Sequence, residues 1–126
     1  MNIPQDIAIT ISKDALKVLD EFNKIDELKN NDKLSEQEYA RRIYVEMLKT
    51  AQLRLVAEQA MTEGVEFSED QISFLDDMFS SLSEDIDITN MDGLTKEDVM
   101  SVRNFVRKYD NIISTEDLEE DLSLFD

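Results

Sequence analysis

The sequence predicts an all-α fold: a small bundle of four helices, with a long central second helix and a short acidic C-terminal helix or tail. Three observations carry this. A helix-start pattern recurs five times, apolar residues between the starts follow helical spacing, and two glycines with one proline leave little material for the turns of a β fold. The recurring pattern is an apolar residue, then Ser or Thr, then another apolar residue four positions after the hydroxyl. It appears as Ile11-Ser12…Leu16, Leu34-Ser35…Tyr39, Phe67-Ser68…Ile72, Leu94-Thr95…Val99 and Ile113-Ser114…Leu118. The hydroxyl accepts from an otherwise orphaned backbone N–H, and the apolar pair staples the chain as it enters the helix. Ser35 with Glu38 and Ser68 with Gln71 have the residues of full capping boxes; Thr95 with Asp98 and Ser114 with Asp117 use the shorter acid.

The first helix is expected over 13–29, ending in Asn30-Asn31-Asp32, with Ala15, Val18, Leu19, Phe22, Ile25 and Leu28 on its inner face. Before it, Ile7, Ile9 and Ile11 alternate with Ala8 and Thr10, which reads as an extended segment over 1–11. The second helix is expected over 36–63, closed by Gly64 as a left-handed cap. Its apolar residues cover more than one face, as expected of an element packed from several sides. The third helix, over 69–82, should bury Ile72, Leu75, Met78, Phe79 and Leu82. The fourth, over 96–109, should bury Val99, Val102, Phe105, Val106 and Tyr109. The organisation is then an extended segment 1–11, a bundle 12–110 and a tail or short helix 111–126.

Thirteen Lys and Arg stand against 30 Asp and Glu, a formal charge of −17. The excess is local. Residues 1–54 are nearly balanced, whereas residues 55–95 hold 11 acids and no Lys or Arg. Residues 96–108 are slightly basic, and 109–126 hold seven acids and no base. A cation-free run of this length accumulates self-repulsion that interspersed lysines would relieve. Two accounts remain: a solvating surface, or an acidic surface that docks on a basic partner. Asp70 and Asp77 are seven residues apart, so roughly 10 Å along one helix face. That is comparable to about three phosphate steps of one DNA strand, each about 3.4 Å. The candidate docking residues are Glu66, Glu69, Asp70, Asp76, Asp77, Glu84, Asp85 and Asp87.

Several functions are disfavoured. Without histidine or cysteine the chain lacks the commonest general base, metal ligand and nucleophile, and no glycine-rich loop could cradle phosphate. No enzyme activity, cofactor or metal is expected. The stretch Asp85, Asp87, Asn90, Asp92, Gly93 invites a calcium-loop reading, but Gly93 at the sixth position puts Ile88 first and Val99 twelfth. Starting at Asp85 puts Asn90 at the glycine position and Lys96 at the twelfth, so both registers fail. Direct nucleic-acid binding is opposed by charge. Unbroken apolar runs are too short to span a membrane, and the N-terminus MNIPQD has no signal-like pattern, so a cytoplasmic location is expected. Arg103, Arg107 and Lys108 suit the end of the fourth helix and its dipole, and could pair with the acidic tail or block. Arg41 and Arg42 oppose the dipole of the second helix, which points to salt bridges or a partner.

The tail ends Asp121-Leu122-Ser123-Leu124-Phe125-Asp126. Leu122, Ser123, Leu124 and Phe125 resemble the sliding-clamp-binding peptide of bacterial replication proteins, although that peptide has glutamine where this chain has Asp121. The resemblance implies a sliding clamp or polymerase as partner, engaged through Leu118, Leu122, Leu124 and Phe125. The alternative is a short helix packing on its own bundle, since Leu118, Leu122 and Phe125 are spaced i, i+4, i+7. In size, charge and lack of catalytic residues the whole chain resembles phage or mobile-element DNA-mimic inhibitors. That resemblance implies a partner protein with a basic nucleic-acid-binding surface. An assembly chaperone or scaffold is a third reading.

Overall fold

The computed structural model describes residues 6–83 and 94–110. It contains four helices in chain order: α1 (Ile7–Asn30), α2 (Glu36–Thr62), α3 (Glu69–Ser83) and α4 (Lys96–Arg107). No strand occurs among the described residues, and the fold is a small all-α bundle. No helix is long and apolar enough to cross a membrane.

The 27 residues of α2 make a rod of about 40 Å that packs on α1, α3 and α4, while α1 also packs on α3. α2 contributes to two cores. Leu53, Val56, Ala57 and Ala60 join Ile7, Ile11, Ala15, Val18 and Phe22 of α1 and Leu75, Met78 and Phe79 of α3 in the main core. Nearer its start, Val45 and Leu48 pack on Val99 and Val102 of α4 in a second, smaller core. Burying each such side chain contributes about 1.5–3 kcal/mol. The central position expected of the second helix is therefore observed. Leu55 and Met61, on its remaining face, are exposed.

The caps follow the sequence closely. The Ser35 hydroxyl accepts from the Glu38 amide at 3.1 Å, one half of the expected box. The Ser68–Gln71 and Thr95–Asp98 boxes are reciprocal, each with both bonds at 2.8–3.1 Å. At the end of α2, the Val65 amide donates to Ala60 O and the Gly64 amide to Met61 O, with Gly64 at φ +95°. This is a Schellman closure, and Val65 packs back on the core. The end of α1 repeats it: Lys33 donates to Leu28 O and Asp32 to Lys29 O, with Asp32 at φ +59°. Ser114, the fifth expected cap, lies outside the described residues.

The N-terminal segment differs from expectation. Residues 7–11 are not extended; α1 begins at Ile7, and Ser12 is inside it rather than at its cap. The Ser12 hydroxyl donates to Ala8 O at 2.9 Å and the Thr10 hydroxyl to Asp6 O at 3.2 Å, so both bond back along the helix. The inner stripe is Ile7, Ile11, Ala15, Val18, Phe22 and Ile25, a helical series. Ile9 and Leu16 lie off it and are half exposed. Residues 1–5 lie outside the described set. On α3, Leu75, Met78 and Phe79 are buried as expected, whereas Ile72 is exposed. The side chain of Leu82 is not among those described. On α4, which ends at Arg107, Val99, Val102 and Val106 are buried and Phe105 is half-buried. Tyr109, in the turn that follows, is fully buried.

Candidate functional site

Two surfaces differ sharply in how they use charge. The first is the outer face of α3. Its reciprocal Ser68–Gln71 box fixes the first turn, and Leu75, Met78 and Phe79 anchor it to α1 and α2. Helical spacing then turns Glu69, Asp70, Asp76 and Asp77 outward, and all four are exposed, as is Glu66 just before the helix. None of the five makes an ion pair within 4 Å among the described residues. Glu69 and Asp70 gain from the helix N-terminal dipole; Asp76 and Asp77, two turns further on, do not. Glu84, Asp85 and Asp87 lie outside the described residues, as do the tail positions Leu118, Leu122, Leu124 and Phe125.

The second surface lies where α1, α2 and α4 converge, and here charges are paired internally. Asp98 accepts two bonds from the Arg41 guanidinium, both at 3.0 Å, while also completing the Thr95 box. Burial alone would raise the Asp98 carboxyl; the Thr95 amide, the Arg41 guanidinium and the Thr95 hydroxyl together hold it below its ordinary value. Arg41 thus forms the salt bridge its position suggested, whereas Arg42 is exposed.

Asp14 is buried inside the apolar stripe of α1. It accepts from the Tyr109 hydroxyl at 2.5 Å and from Lys108 Nζ at 2.9 and 3.1 Å. Burial, with the Asp14 carboxylate beside it, pushes the Tyr109 phenol well above its usual range. This latch ties the turn after α4 to α1. Lys108 therefore pairs with an acid of the first helix. An acid at the inward position between Ile11 and Val18 was the available sequence signal, and sequence reasoning missed it.

Glu46, on α2, is also buried. Lys49 Nζ sits 3.2 Å from its Oε2, while its Oε1 has no hydrogen-bond partner among the described residues. Leaving such an atom buried and unmatched costs about 1–3 kcal/mol. Desolvation raises the Glu46 carboxyl above its ordinary value and Glu21 adds to this, against the lowering by Lys49. Glu46 lines a cleft of about 340 Å³ with Lys17, Val18, Asp20, Glu21, Lys24, Lys49 and Phe105. The cleft exists because α1 and α4 both pack on α2 without packing along each other. Lys49 Nζ lies 5.6 Å from the centre of the Phe105 ring, and Lys108 Nζ 5.8 Å from it.

Among the described residues, no group of three or more Asp or Glu side chains is arranged to hold a metal ion. No protein-family model, curated protein or solved structure matches the chain.

Proposed function

We propose that this chain is a non-catalytic binding protein whose acidic α3 face occludes a basic, nucleic-acid-binding surface of another protein, in the manner of phage or mobile-element DNA-mimic inhibitors. The reading places it in the cytoplasm, where such partners work. One observation carries it: four carboxylates on a capped, core-anchored helix point outward, and none pairs with a cation among the described residues. Because the helix backbone is already fixed, docking costs little backbone freedom, and the ordering cost is confined to the acidic side chains. By contrast, Asp98 and Asp14 are matched by cations from outside their own helices, Arg41 and Lys108.

The test is affinity capture from a bacterial extract with the full chain and with the Glu69→Gln, Asp70→Asn, Asp76→Asn, Asp77→Asn variant. The expected outcome is retention of a nucleic-acid-binding protein by the parent chain only, with duplex DNA displacing it. Equal retention by both chains, or simultaneous binding of DNA and the chain by the captured protein, contradicts the proposal.

A further inference from the structure

The cleft between α1 and α4 is separate from the α3 face, and its inner surface is built differently. Val18 and the Phe105 ring supply apolar wall, while three ammonium groups (Lys17, Lys24, Lys49) and three carboxylates (Asp20, Glu21, Glu46) line it in equal number. Balanced walls favour neither a simple anion nor a simple cation. The Glu46 side chain is only 7% exposed, and its Oε1 has no donor among the described residues. At the rim, Lys17 and Lys24 are about 70% exposed and stand seven residues apart on α1, roughly 10 Å. A volume of about 340 Å³ falls within the range of small-molecule sites, about 300–1,000 Å³.

We propose that this cleft binds a small zwitterion of the amino-acid class. Its guanidinium or ammonium group donates to Glu46 Oε1, its aliphatic part lies on Val18 and Phe105, and its carboxylate is held by Lys24 at the rim. The occupant supplies the donor that Glu46 lacks and places opposite charges against the cations at the rim. Lys49, already held by Glu46 Oε2, keeps the acid oriented.

The experiment is an NMR titration of the full ¹⁵N-labelled chain with L-arginine, L-lysine and agmatine, the last being arginine without its carboxylate. At least one amino acid should give saturable amide shifts clustered at residues 17–24, 46–49 and 105. Agmatine should bind about tenfold more weakly, as should the better amino acid to a folded Glu46→Gln variant, since each loses a charge-assisted contact. Lys24→Ala, on the exposed rim, should weaken the amino acid and should not weaken agmatine, which has no carboxylate to lose a partner. The proposal is overturned if neither amino acid saturates, if agmatine binds as well as the better amino acid, or if Glu46→Gln binds that amino acid with parent affinity.

Discussion

The α3 face and the α1–α2–α4 junction both carry many acids, yet they spend them in opposite ways. At the junction, Asp14, Asp98 and Glu46 come from different helices, are largely buried, and each meets at least one cation within 3.2 Å. On α3 the acids are exposed and meet none among the described residues. Net charge alone does not distinguish these cases. For Asp14 and Asp98 the fold brings the cation from another element, which depends on which elements are adjacent, whereas Glu46 takes Lys49 from its own helix. Asp14 and Asp98 tie separate elements of the bundle together, while the acids of α3 tie nothing to it among the described residues.

The comparison makes graded predictions for stability. The largest effect is expected at the latch. Asp14→Ala strips the acceptor from both Tyr109 and Lys108 and should cost about 3 kcal/mol, measured as a lower urea midpoint at constant m. A loss below about 1 kcal/mol would place Asp14 with the weak surface pairs instead.

Next comes Asp98→Ala, which removes both the box partner of Thr95 and the acceptor of Arg41, at a cost of about 2 kcal/mol near neutral pH. Its folded-state pKa lies below the ordinary carboxylate value. The stabilisation is therefore fully present above the unfolded-state pKa and is lost as pH falls through the depressed folded one. The parent and variant stability curves should accordingly converge only in strong acid.

Glu46→Gln should act in the reverse direction. Because the folded-state pKa of Glu46 is raised, its charged form opposes folding at neutral pH, and the folded state gains as the group is protonated. The variant should be about 0.5–1 kcal/mol more stable near neutral pH. The advantage should shrink as pH falls through the raised folded pKa and be gone below the unfolded one. A variant that is destabilised at neutral pH would show that the Lys49 pair outweighs desolvation. The smallest effect is expected on α3. Asp76→Asn with Asp77→Asn should change stability by less than about 0.5 kcal/mol, because neither acid has a partner to lose among the described residues.

Much of the bundle was legible in the sequence, for local reasons. Ser68–Gln71 and Thr95–Asp98 specify helix starts within four residues, and Gly64 specifies an end, so no knowledge of neighbours was needed. The start of α1 was misread because Ile7, Ile9 and Ile11 fit a strand's alternation when viewed alone. Only with Ala15 and Val18 does the helical stripe through Ile7 and Ile11 emerge, and the hydroxyls of Thr10 and Ser12 can bond inside a helix as well as cap one. The outward placement of Glu69, Asp70, Asp76 and Asp77 followed from periodicity. The Asp14–Tyr109–Lys108 latch and the Glu46 cleft did not, because they join residues far apart in the chain across helices whose adjacency the sequence does not state. Asp14, an acid within an apolar stripe, was the one local sign of either.

The most direct test of the central claim is the salt dependence of binding between the captured partner and the chain, measured beside the variant neutralised at Glu69, Asp70, Asp76 and Asp77. If the α3 carboxylates are the docking row, parent affinity should fall steeply between roughly 50 and 200 mM salt, and the variant should bind weakly with a much shallower slope. Parent affinity that is flat across this range, or the same steep slope in both proteins, would contradict the account.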